Sequence, residues 1–274
     1  MKKCLYTILL ATALTLTAFA APIDTFKNLK GTLDIAGGTA HIPVMQQAAR
    51  NIMTANSNIR ITVAGGGSGV GVKQVGEGLV GIGNTGRPLR DGEVSEYGLK
   101  TFPFAIDGVA VAVNPANSVR ELTTKQIADI FAGKVTDWQD VGGKPGRINV
   151  YSREDGSGTR ETFTEKIMGT ETLATSANVV NSNGAMKTAV AQDARAIGYV
   201  GIGHLDKSIA GITVDGMIPT QDNAADGTYK VVRDLFMNTK GEPTGLVAAF
   251  IDYIFSDDGA KIIAESGYIP IPKK

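Results

Sequence analysis

A chain of 274 residues with 43% hydrophobic and 20% charged residues is globular in composition, and long enough for one large domain or two modest ones. Its 27 basic and 27 acidic residues cancel, which speaks against a general nucleic-acid binder, a class that carries a basic surplus. One cysteine and two histidines exclude an intramolecular disulfide and any cysteine-based zinc or iron–sulfur site, so no metal or cofactor is expected.

Lys2 and Lys3 precede an apolar run from Leu5 to about Leu16, and Ala18-Phe19-Ala20 matches an A-x-A cleavage site before Ala21-Pro22. That order predicts a cleaved signal peptide over 1–20 and a periplasmic or secreted, soluble mature protein. The apolar run is too short for a membrane span of about 20 residues. Cys4 lies ahead of the run, so it is not placed to accept a lipid, and the mature chain has no thiol.

From residue 31 onward, strand-like and helix-like stretches alternate. Residues 31–36 and 58–63 read as strands, 42–53 and 70–75 as helices, and 80–82 as a short strand before an Asn84–Arg87 loop. The unbroken apolar run Val109–Val113 suits a strand buried on both faces. Thr123 and Gln126 form a capping box for a helix over 124–131, with Gly133 as its stop. Strands at 148–151 and 197–200 and helices at 158–168 and 185–192 follow, and the tail from 244 to 265 divides into two helices at Ser256–Gly259. This alternation predicts an α/β fold with mostly parallel sheets.

Glycine, at 34 residues, is roughly twice its ordinary share of about 7%. It concentrates in three turns that each follow a predicted strand and precede a predicted helix: Gly37-Gly38-Thr39-Ala40, Gly65-Gly66-Gly67-Ser68-Gly69 and Asp155-Gly156-Ser157-Gly158-Thr159. A helix start offers unpaired N–H groups and a positive dipole end, glycine admits a ligand close to them, and Ser and Thr add hydroxyls. Arg153 adds a charge able to grip an anion through two N–H groups. The set suits an oxyanion.

Other loop chemistries fail on residues. Gly66 to Gly71 has P-loop spacing, but Val72 stands where lysine is required, and no G-x-G-x-x-G begins at Gly65 or Gly67. The serine-hydrolase pattern fails at Val70 around Ser68, and at Asp155 and Thr159 around Ser157. A bare phosphate bound without chemistry fits better. A carboxylate in the pocket could accept the ligand's proton and repel sulfate, which has none. Asp107 is placed for that role. Asp155 is a second candidate, although pairing with Arg153 is its stronger expectation.

Taken together, GGTAHIPV (37–44), GGGSGVGVKQ (65–74), GRPL (86–89), IDGVAVAVNP (106–115), SREDGSGTRETF (152–163) and AIGYVG (196–201) resemble the periplasmic phosphate-binding proteins of ABC importers over about residues 30–272. The resemblance implies a two-lobed periplasmic-binding-protein fold, each lobe a sheet flanked by helices, with the ligand in the cleft between. Lobe one would comprise 21–107 plus about 212–274, and lobe two about 108–211, with crossings near 107–113 and 205–215. It further implies a non-enzymatic, monomeric receptor that delivers inorganic phosphate to a membrane permease. By position, phosphate would be held by Thr39, the Ala40 N–H, Ser68, Arg153, Ser157, Gly158 and Thr159. Some members carry an Asp where this chain has Gly86, so Asp107 would take over as proton acceptor, and Arg87 would either touch the ligand or pair with an acidic neighbour. His41 is expected at the surface or as a cap. The alternatives are a receptor for molybdate, tungstate or sulfate, and, further off, an exported phosphatase or serine hydrolase.

Overall fold

The computed structural model describes residues 22–273; the expected signal segment, with Cys4, lies outside them. β1 (Gly31–Gly37) lies between β2 (Ile59–Gly66) and β3 (Ile82–Thr85), parallel to both. Helix α1 (Ile42–Ala55) has Pro43 in its first turn, where the missing N–H costs nothing, and buries Val44, Met45, Ala48, Ala49 and Ile52. Helix α2 (Gly67–Gly76) starts three residues earlier than predicted, because β2 extends through Gly66 and leaves no loop between them. Asn84 and Thr85 likewise belong to β3 rather than to a loop. α3 (Asp91–Tyr97) ends at Gly98, whose φ of 63° is the usual left-handed stop.

β4 (Leu99–Val113) spans fifteen residues, of which the sequence pattern showed only the apolar last third, Val109–Val113. β5 (Glu121–Leu122) and α4 (Thr124–Phe131) follow, α4 with the expected Thr123–Gln126 capping box. Next come β6 (Asn149–Arg153), α5 (Gly158–Phe163), which runs on into a π-type turn at Thr164–Met168, β7 (Asn178–Val180), α6 (Asn183–Gln192) and β8 (Ala196–Gly201). The short β9 (Ala210–Gly211), β10 (Thr213–Val214) and α7 (Gln221–Ala225) lead into β11 (Val232–Lys240). α8 (Gly245–Ile254), α9 (Asp257–Glu265) and β12 (Ile269–Pro270) close the chain, with Ser256 capping α9 at the predicted break.

The strand order is β2-β1-β3-β11-β4-β8-β6-β7. Its wings are parallel, as alternating strands and helices require. Its centre is antiparallel, where β4 pairs with β11 on one side and β8 on the other. The sequence reading did not foresee that centre, because 232–240 carried no assignment. β4 serves two cores in turn. Phe104 and Ala105 enter a first core with Leu33, Ile35, Leu235, Phe250 and Tyr268. Val109, Val111 and Val113 enter a second with Ile130, Phe163, Ile197 and Tyr199. Each large apolar side chain so buried contributes roughly 1.5–3 kcal/mol. Ile212, Val214, Ala224, Tyr229 and Val231 also pack in the second core. The turns after β1, β2 and β6 all lie at carboxyl ends of parallel strands, where open α/β sheets bind ligands.

Candidate functional site

A cavity of about 190 Å³ lies where these turns meet. The turn after β1 contributes Gly38, Thr39, Ala40 and His41; the β2–α2 junction contributes Gly67 and Ser68. Across from them stand Arg153 at the end of β6 and Ser157, Gly158 and Thr159 at the start of α5. Gly86, after β3, and Arg233, on β11, complete the lining. The structure therefore gathers all seven principal sequence candidates around one space. The two opposed walls are in contact: the Gly69 N–H donates to the Gly156 carbonyl at 3.1 Å, and Thr39 Oγ1 accepts from Asn183 N at 3.2 Å and Nδ2 at 3.1 Å.

Local backbone chemistry explains the first turn. Gly37 has φ of 124°, and a Cβ there would sit 2.3 Å from the Asn84 carbonyl oxygen, so the chain can bend against β3 only with glycine. The same carbonyl accepts the Gly38 N–H at 2.9 Å. At the β2–α2 junction, Ser68 is 1% exposed and its Oγ accepts the Gly86 N–H at 3.0 Å. Ser157 caps α5 by accepting the Arg160 N–H. Neither hydroxyl is hydrogen-bonded to a histidine among the described residues, so neither has the general base that a serine nucleophile needs.

Arg153 is 1% exposed. Its Nε and Nη2 donate to the two carboxylate oxygens of Glu154 at 2.9 and 2.8 Å, while Nη1 is buried with no partner. This corrects the expected pairing with Asp155, whose side chain projects outward and meets Arg160 at 2.7 Å. Asp155 neither lines the cavity nor touches Arg153.

Asp107 is also not where the sequence reading put it. It is wholly buried behind the cavity wall, and its Oδ2 accepts Nε and Nη2 of Arg233 at 3.0 and 2.7 Å. Burial pushes its carboxyl above the ordinary range, and Arg233 opposes that shift. Arg87 lies outside the cavity too. It forms a two-pronged pair with Glu93 and a third contact, Nε to Glu161 Oε2 at 2.9 Å. Of its two expected roles, pairing is the one the structure shows. No carboxylate lines the cavity among the described residues.

His41, expected at the surface or as a cap, stands at the N-cap position of α1 without a side-chain cap bond and is fully buried against Phe104. Burial and the nearby Arg233 charge lower its pKa to about 3, with a small offset from the carbonyls of Phe236, Gly38 and Thr85. Sequence reasoning also missed Arg233, Glu154 and Asn183. Arg233 had no motif around it. Glu154 sits beside Asp155, and only the backbone direction distinguishes them. Asn183 opens α6, where Ser182 is the cap the sequence could suggest.

A model of the "PBP superfamily domain" matches residues 26–258. The chain is 36% identical over 248 residues to the phosphate-binding protein PstS of Bacillus subtilis, covering 89% of this chain and 82% of that one. It is 27% identical to PstS of Borreliella burgdorferi, covering 87% and 90%. Among solved structures, one described as a phosphate ABC transporter substrate-binding protein from Clostridium perfringens, with bound phosphate, superposes at a TM-score of 0.83 with 35% identity, covering 88% of this chain and 100% of that one. An ABC-type phosphate transport receptor from Vibrio cholerae gives 0.70 at 35%, with the same coverage. The fold is thus the two-lobed one of these binding proteins, and the chain belongs to the PBP superfamily, within the family of the PstS phosphate-binding proteins.

Proposed function

We propose that this protein captures inorganic phosphate in the cavity between its two cores and presents it to the membrane permease of an ABC importer, without turnover. The observation that carries this reading is the buried, unpartnered Nη1 of Arg153 on the wall of a cavity that also holds Thr39, Ser68, Ser157 and Thr159. A buried charged donor left unmatched costs several kcal/mol, and an anion removes that cost. Hydroxyls and the N–H groups of Ala40, Gly158 and Thr159 supply further donors suited to several acceptor oxygens. The bound phosphate of the similar Clostridium perfringens protein supports the same ligand here. The lobes meet at Asp107–Gly108 and in β11, and the protein acts as a monomer exported by the signal segment over 1–20. No helix among the described residues is long and apolar enough to cross a membrane, in keeping with a receptor that works outside it.

Titration calorimetry of the purified protein with phosphate is expected to show one saturable site. Arg153→Gln should weaken it by at least about a hundredfold, since it removes a charge-assisted contact. Absence of heat with phosphate, or sulfate or molybdate displacing it at equal concentration, would overturn phosphate as the ligand.

A further inference from the structure

Arg233 and Arg153 reach the cavity from different elements, yet share one arrangement. Each guanidinium gives its Nε and Nη2 to a carboxylate, Asp107 or Glu154. That leaves Nη1 as the edge turned away from the carboxylate. For Arg153, Nη1 is the buried, unpartnered nitrogen. For Arg233, Nη1 lies beside Gly86: a Cβ on that glycine would be 2.7 Å from it, so any larger residue there would displace the guanidinium. Gly86 and Arg233 are both on the cavity lining, whereas Asp107 is not.

We propose that Arg233 is a second anion-binding guanidinium of this site and that, together with Arg153, it makes the site select the dianion of phosphate over the monoanion. The proposal rests on the phosphate reading and adds the protonation state and a residue for it. Two cations form the nearest charges to the ligand, with their carboxylates held on the far side. The hydroxyl oxygens of Ser68 and Thr159 can accept the single O–H of the dianion, whereas Thr39 Oγ1 already accepts two N–H groups of Asn183 and is left to donate. The monoanion brings a second O–H and one less negative charge, and no carboxylate lines the cavity to receive that proton.

The histidines and tyrosines around Arg233 do not titrate in the range where phosphate does. His41, on the turn after β1, has its pKa lowered to about 3 by burial and by Arg233, and His204, after β8, is lowered to about 4 by burial and by Lys187, Arg233 and Arg153. Burial raises Tyr268, next to β12, and Tyr229, before β11, far above neutrality. Burial raises Asp107 on β4, and its two-pronged pair with Arg233 opposes that shift. The second ionisation of phosphate is then the proton equilibrium that governs affinity near neutral pH.

Phosphate titrations from about pH 6 to about pH 8, across the second ionisation of a phosphate, should show affinity rising with pH in the wild type. Arg233→Gln should lose about tenfold or more at the upper pH and flatten that rise. Affinity and slope unchanged within about twofold would overturn the proposal. Phosphorus NMR of the wild-type complex gives a test that needs no variant: the bound resonance is expected to hold the dianion shift below the pH at which free phosphate protonates. A bound shift that follows the free ligand, or sits at the monoanion value, overturns the proposal while leaving phosphate binding intact. Absence of any bound resonance overturns both readings.

Discussion

The imidazole of His41 is packed against Phe104 at 5.5 Å between ring centroids, and no hydrogen bond of ordinary geometry reaches either ring nitrogen. In an unfolded chain it would protonate near 6.5; in the folded protein it resists until about pH 3. The unfolded state therefore binds more protons over that interval, and stability falls as pH drops through it. The contribution is complete above pH 6.5 and shrinks toward pH 3, by up to about 1.4 kcal/mol per pH unit. His204, lowered to about 4, adds a second term of the same sign. Denaturant midpoints measured at about pH 7 and about pH 5 should differ clearly, and His41→Phe should reduce the difference. A wild-type midpoint that stays put between those conditions would reject this account. The residue scale is also where sequence legibility was poorest. His41 follows Thr39-Ala40 in a turn, and nothing in its neighbours announces that β11 will cover it. Asp155 and Glu154 are adjacent carboxylates, and only the path of the chain decides which one faces Arg153.

At the scale of elements, the legible features were those with chemistry written into local sequence. Gly-Gly-Thr at the end of β1 and the Ser157 cap of α5 each need particular residues at particular backbone positions and appear where expected, while Gly-Gly-Gly-Ser joins β2 directly to α2 instead of forming a separate turn. β11 was not legible. It carries Arg233 to the cavity and closes both cores, but its pattern alternates too little to stand out, and its partners β3 and β4 come more than a hundred residues earlier. Helix α5 does more than present its first turn to the cavity. Its Glu161 reaches the opposite wall, meeting Arg87 Nε at 2.9 Å and Arg90 Nη2 at 3.3 Å. Arg87 is itself buried and braced by Glu93, so its position is set before α5 arrives. These pairs form only when the walls meet, and so they act on release more than on encounter. Because Glu161 and Arg90 are exposed to solvent, the pairs are screened and modest in strength. Glu161→Gln is expected to raise the phosphate dissociation rate a few-fold at low ionic strength, and to lose most of the salt dependence seen in the wild type. Stopped-flow release into a phosphate sensor measures both; identical low-salt rates for the two proteins would reject the role.

At the scale of the whole molecule, the two cores are joined by the strands β4 and β11, by the Tyr268–Ile269 segment and by the contacts across the cavity, an arrangement with few crossings that allows hinge motion. The cavity is walled on both sides in this structure, so entry and release of phosphate are expected to require the walls to part. Gly69 and Gly156 offer a direct way to test that. They face each other across the cleft, joined by the Gly69 N–H to Gly156 carbonyl bond, and a Cβ built on Gly69 lies 3.7 Å from the Gly156 Cα. Neither has a positive φ, so both accept a side chain without backbone strain. With a Cα–Cβ bond of about 1.5 Å, the two Cα atoms are no more than about 5.2 Å apart, inside the limit of about 6.8 Å that a disulfide spans. The chain's one native cysteine is Cys4, in the expected signal segment, so the mature double variant Gly69→Cys/Gly156→Cys would contain a single possible crosslink. Loaded with labelled phosphate and then oxidised, it should retain the label against excess unlabelled ligand, and release it on reduction at the rate of the uncrosslinked variant. Oxidised and reduced forms exchanging at the same rate would show that the ligand passes without separation of the two walls. In that case the contacts between Thr39 and Asn183, and between Glu161 and the two arginines, would stabilise the fold rather than gate the site.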